Sequence, residues 1–121
     1  MDIGIDIIEI KRIRNILDRN KFFLNYCFSD DEIQQIVSKK SVASSVAARF
    51  CAKESFFKCI GEGIKKTENL KLIKILNEKN GIPKIILGGY FKKKYKSFNF
   101  HLSLSHCKEY ACAVVIKENK F

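Results

Sequence analysis

The sequence predicts an α+β fold, with one long central helix packed on a mainly antiparallel sheet. Three observations carry this reading. Residues 41–60 form a continuous helical run that Gly61 is placed to end. Residues 98–105, FNFHLSLS, alternate apolar and polar with the period of a strand. Asn80-Gly81 lies between two apolar runs, a strong signal for a tight hairpin. After a first strand, helices fill the first half of the chain and strands the second, the segregation typical of α+β. Its 121 residues, 46% hydrophobic and 30% charged, suit a single domain over residues 1–121.

Residues 2–8, DIGIDII, read as the first strand. Ile3, Ile5 and Ile7 alternate with Asp2, Gly4 and Asp6, and Ile8 makes the far end apolar on both faces. Asp6 is thus a carboxylate in an otherwise apolar strand; it caps the next helix or serves chemistry. Residues 9–19 are helical, with Ile10, Ile13, Ile16 and Leu17 on the buried stripe and Lys11, Arg12, Arg14 and Arg19 largely off it. Residues 21–28 form an aromatic connector. Ser29-Asp30-Asp31-Glu32 is a capping box opening a short helix anchored by Ile33, Ile36 and Val37.

On the long helix, Val46, Phe50 and Phe57 share one stripe, with Ala43 and Ala47 beside them and Glu54 inside the same arc. Ser44, Ala48, Ala52, Ser55 and Cys59 make the opposite side small enough for close approach of another element. A carboxylate on an apolar arc is paired or binds a metal; for Glu54 the local choice is Lys58 at i, i+4. Residues 61–69, GEGIKKTEN, form a glycine-containing loop with two lysines, of a kind that can cradle phosphate, although it matches no nucleotide-binding fingerprint. Residues 70–76 read as a strand, 77–83 as a turn and 84–87 as the return strand. Gly88-Gly89 breaks that strand, and the basic segment 90–98 follows with one helical turn or two. His101, on the polar face of strand 98–105, reads by itself as a surface histidine. Residues 111–116, ACAVVI, form a last, fully apolar strand.

Charge narrows the partners. Twenty-three basic against 13 acidic residues leave +10, which favours a polyanion: nucleic acid, an anionic membrane, an acidic protein or a phosphorylated small molecule. The N-terminal stretch is too briefly apolar, and acidic too early, for a secretory signal, and no apolar run approaches the ~20 residues of a membrane span. Five cysteines without a C-x-x-C pair fit reduced thiols in the cytoplasm.

Three separated segments combine into a more specific pattern: GIDIIEIKRI at 4–13, ARFCAKESFFKCIGEGI at 48–64, and NGIP at 80–83 with HLSLSH at 101–106. Together, in order and nearly end to end, they resemble the holo-acyl-carrier-protein synthases, the small bacterial type of 4'-phosphopantetheinyl transferase. Departures are Cys51 and Cys59 at positions where small residues are usual, and Glu62 within the usual G-T-G-I.

The resemblance implies a phosphopantetheinyl transferase-like fold that forms trimers with active sites between subunits. It implies transfer of 4'-phosphopantetheine from coenzyme A to a serine of apo acyl carrier protein, for fatty acid biosynthesis, with Mg²⁺ held by Asp6 and Glu54. Asp6, Glu54 and Lys58 would be the catalytic set. Arg49, Lys53, Lys58, Gly61, Asn80, Gly81, Pro83, His101 and Ser103 would line the coenzyme A site, and Arg12, Arg14 and Arg19 would receive the acidic carrier protein. The proton acceptor stays open between Glu54 and a bound water. From a different class, the lysines and aromatics of 90–98 suggest a small RNA-binding module, which would need neither carboxylate. A homologue that binds coenzyme A without transfer is the third reading.

Overall fold

The computed structural model describes residues 1–63 and 67–120, with 67 and 68 as backbone. In chain order the elements are β1 (Asp2–Glu9), α1 (Ile10–Arg19), α2 (Phe23–Cys27), α3 (Asp30–Val37), α4 (Val42–Ile60), α5 (Thr67–Lys71), β2 (Ile73–Asn77), β3 (Pro83–Leu87), α6 (Gly89–Lys94), β4 (Phe98–His106) and β5 (Tyr110–Asn119). One antiparallel sheet has the order β1-β5-β4; β2 and β3 form a separate hairpin.

The long helix begins and ends where local chemistry places it. Ser41 caps α4 by accepting from the Ser44 amide at 3.3 Å, and Gly61 ends it with φ of 71°. The Gly61 amide donates to the Lys58 carbonyl and the Glu62 amide to the Phe57 carbonyl, the paired bonds of a Schellman turn. The helix is buried on most of its circumference. Its small side lies on β1 and β5, as expected: Ser55 Oγ donates to the Ala113 carbonyl at 2.9 Å. Gly4 on β1 is what lets that approach close. A Cβ there would collide with the Ser55 carbonyl oxygen and lie 2.6 Å from the Cys59 amide nitrogen. On another side Phe56 meets Phe91, Tyr95 and Phe100, an aromatic core between α4, α6 and β4.

Several local expectations are corrected. Residues 67–71 are helical, so β2 starts at Ile73 rather than at 70; the aromatic connector contains α2; and β5 extends to Asn119. Asp6 lies four residues before α1 and inside β1, so it is not that helix's cap, a position held by Glu9. Phe91 and Tyr95 are core residues, which removes two of the aromatics an RNA-stacking surface on 90–98 would use. The usual rule of apolar inside also fails on β1. Ile3, Ile5 and Ile7 are 65%, 65% and 66% exposed, while Gly4 and Asp6 face α4. The register continues this outer face across the sheet: Ile3 pairs with Ile116, Ile5 with Val114, and these with His101 and Ser103 of β4. Among the described residues no helix is long and apolar enough to cross a membrane.

Candidate functional site

The site follows α4. Asp6 and Glu54 line one cleft of about 270 Å³ with Arg12, walled by Ile16, Phe23 and Phe50. The pleat of β1 turns Asp6 toward α4, and the helix presents Glu54 on the arc that meets it. Partial burial raises the Glu54 pKa above the ordinary carboxylate value; the charge of Asp6 raises it further, while Lys58 pulls it back. Lys58 does not form the local i, i+4 pair. Its Nζ reaches across to β1, donating to Asp6 Oδ1 at 3.0 Å and to the Ile5 carbonyl at 3.1 Å.

One turn and a half back along α4, Arg49 forms part of a larger cleft of about 630 Å³. Gly81, Pro83 and Ser103 line it too, together with Lys39, Lys40 and His106. Arg49 is 5% exposed. Its Nη1 donates to Ser45 Oγ at 2.7 Å, and its Nε is a buried donor without a partner among the described residues. A buried guanidinium with an unspent N–H at a cleft wall suits an anionic ligand. Asn80 shapes the adjacent turn, its Oδ1 accepting from the Ile82 amide at 3.0 Å, without lining the cleft. His101 sits on the outer sheet face with Nε2 2.6 Å from Glu118 Oε1. Gly61 borders a third depression with Lys58, Asp2 and Lys117. Lys65 and Lys66 of the expected phosphate loop lie outside the described residues.

Lys53 is the clear correction among the expected coenzyme A ligands. It is 0% exposed, and its Nζ donates to the Cys27 carbonyl (2.8 Å), the Leu70 carbonyl (2.7 Å) and Glu32 Oε1 (2.9 Å). An ammonium has three N–H bonds and all three are spent inside the core, so none is left for a phosphate. Burial pushes its pKa down to about 8 against the opposing pull of Glu32.

Of the basic residues on α1, Arg12 reaches the carboxylate cleft, and Arg14 borders a depression with Lys11 and Lys108. Arg19 is exposed at the helix end. Sequence reasoning passed over Lys39, Lys40 and His106. The lysines stand immediately before the Ser41 cap, a position from which a side chain can lean over the start of a helix; His106 closes the quoted HLSLSH segment.

A basic cleft with an unspent arginine donor at Arg49, and a second cleft where β1 and α4 bring Asp6 and Glu54 together, are the equipment of a protein that handles phosphorylated ligands. Comparison with known proteins narrows that class. The sequence profile of the 4'-phosphopantetheinyl transferase superfamily matches residues 2–115, and the chain belongs to that family. The holo-[acyl-carrier-protein] synthase of Chloroherpeton thalassium is 44% identical, the match covering 98% of each chain. That of Clostridium tetani is 38% identical over 99% of this chain and 97% of the relative. Among solved structures, the Bacillus anthracis holo-(acyl-carrier-protein) synthase in complex with CoA (3',5'-ADP) superposes with a TM-score of 0.82 at 35% identity, covering 98% of this chain and 96% of the other. The Helicobacter pylori synthase in complex with coenzyme A gives 0.81 at 34% identity over 96% and 99%.

Proposed function

We propose that this chain, acting as one domain, transfers 4'-phosphopantetheine from coenzyme A to a serine of apo acyl carrier protein. The products are holo acyl carrier protein and adenosine 3',5'-bisphosphate, and the step serves fatty acid biosynthesis. The observation that carries the reading is that α4 contributes both to a basic cleft, through Arg49, and to a carboxylate pair, through Glu54 facing Asp6 of β1. The serine oxygen forms a bond to the β-phosphorus as the bond to the leaving bisphosphate breaks. Such a transfer depends on positioning and on offsetting phosphate charge. Arg49 and Lys58 supply positive charge, the turn at Asn80, Gly81 and Pro83 shapes the nucleotide end, and Ser103 offers a hydroxyl at its wall.

Asp6 and Glu54 fit Mg²⁺. They are two carboxylates on one cleft wall, and burial together with the Asp6 charge raises the Glu54 pKa, both effects that a bound cation would offset. Bound there, Mg²⁺ would offset charge on the phosphate oxygens. Arg12, Arg14 and Arg19 give the acidic carrier protein its docking face, consistent with a net charge of +10. The apolar outer face of Ile3, Ile5 and Ile7, continued by half-buried Val114 and Ile116, supports a homotrimer with active sites between subunits, which would bring His101 of one chain toward a neighbour's cleft. Five cysteines without a disulfide and a basic, carrier-directed surface support a reading of cytoplasmic work on a carrier protein, rather than on nucleic acid or membrane.

The test is incubation with coenzyme A, Mg²⁺ and apo carrier protein, followed by intact mass. The carrier gains one phosphopantetheine arm with the parent chain and none with Asp6→Ala or Glu54→Ala, whose circular dichroism stays that of the parent. A folded carrier whose mass does not change overturns the reading.

A further inference from the structure

Glu62 follows the glycine that ends α4, and it brings a negative charge to the start of a segment read as phosphate-facing. The structure shows where that charge goes. Glu62 Oε2 accepts from Tyr95 Oη at 2.7 Å and from Lys94 Nζ at 3.3 Å, both at the end of α6. Tyr95 is no loose surface phenol: it is 7% exposed, with its ring against Phe56, Phe98 and Phe100. Burial and the neighbouring carboxylate raise its pKa to about 12, so it remains an O–H donor at any working pH. A phenol donating to a carboxylate is a charge-assisted bond, and partial burial keeps it from being exchanged freely for water. The backbone at Glu62 is held as well, through the Schellman bond to Phe57. Beyond the connection, α5 is held where the Leu70 carbonyl accepts from the buried Lys53 ammonium.

We propose that Glu62 is a positioning residue: by tying its carboxylate to Tyr95 and Lys94, it anchors the Gly61–Glu62 turn to α6, holds the end of α4 in place for the coenzyme A phosphates, and keeps its own charge off them. This rests on the function proposed above. The turn begins on the Lys58 carbonyl, and the Lys58 side chain runs to Asp6. Without the tie, the turn loses its anchor to α6, so binding of coenzyme A weakens while the transfer step itself changes little.

Steady-state kinetics and calorimetric titration with coenzyme A in the presence of Mg²⁺ test this on the full chain. Glu62→Ala and Tyr95→Phe should each raise KM and Kd for coenzyme A about five- to tenfold, with kcat within about twofold of the parent. Glu62→Gln, whose amide oxygen still accepts from the phenol, should recover to within about threefold. The double variant should be no worse than the worse single, because both remove one tie. Unchanged coenzyme A affinity in both single variants, additive losses in the double, or a Gln variant as weak as the Ala variant would each overturn the proposal. Titration reads affinity without transfer, so a parent chain that binds coenzyme A and transfers nothing refutes the proposed function while the variants still judge Glu62. A parent that binds no coenzyme A overturns both.

Discussion

Glu54 sits where its charge is unwelcome to the folded chain by itself. Burial and Asp6 both work against its ionised form, and Lys58 only partly compensates because its ammonium is committed to Asp6. Neutralising it should therefore stabilise the protein while disabling the site. In the presence of a chelator, Glu54→Gln is expected to raise Tm by about 2–4 °C. Mg²⁺, which should raise the parent's Tm by binding the folded state, should leave the variant unmoved; differential scanning calorimetry reads both. Gly4 makes the opposite case, a residue with no functional group on which the site depends. A methyl group there meets the backbone of α4, which cannot rotate away as a side chain would. Gly4→Ala should cost about 2 kcal/mol or more by urea titration, and by pushing β1 from α4 it should weaken Mg²⁺ binding.

At the scale of elements, α4 is organised by a buried ion pair that its sequence conceals. Glu32 was legible as the second half of a capping box, and its carboxylate does accept from the Ser29 amide at 3.0 Å. The same carboxylate also accepts from Lys53 and from the Ile75 amide, tying α3, α4 and β2 together. The Lys53 ammonium stands over the Phe28 ring, 4.4 Å from its centroid. Lys53→Met removes the cation and leaves Glu32 charged in the core, an imbalance of about 3–5 kcal/mol. Chemical denaturation should show that loss, and KM for coenzyme A in the remaining folded protein should stay within about twofold of the parent. A phosphate-binding lysine would do the reverse. The sequence could not separate these cases, because a helix apolar on most of its surface has no single wet side to which a charged residue must belong.

At the scale of the whole molecule, the outer sheet face is the unfinished part of a single chain. Three isoleucines of β1, with Val114 and Ile116 of β5, form a contiguous apolar surface of the kind that marks an interface. The proposed trimer covers it. Ile5→Lys leaves the core untouched and should give a chain of monomer mass by analytical ultracentrifugation, with the parent's circular dichroism and at most about a tenth of its transfer rate. A parent already monomeric at micromolar concentration would remove this account of the face.

What the residues determined alone was whatever depends on near neighbours. Ser41 and Gly61 bounded the long helix, Ser29 and Glu32 opened α3, Asn80-Gly81 made the turn, and the alternation at 98–105 made β4, because caps, turns and pleats are settled within a few residues. The pairing of Asp6 with Glu54 came from the family pattern; in the folded chain both line one cleft. Tertiary structure alone decided which face of β1 meets α4, where Gly4, the residue with nothing to bury, is the one that fits. It alone sent Lys53 into the core and Lys58 to Asp6, since an ammonium goes where the chain offers oxygens, and those oxygens belong to residues 17 to 53 positions away. Local sequence carries a residue's own preferences; which partners it meets is settled only when distant segments pack.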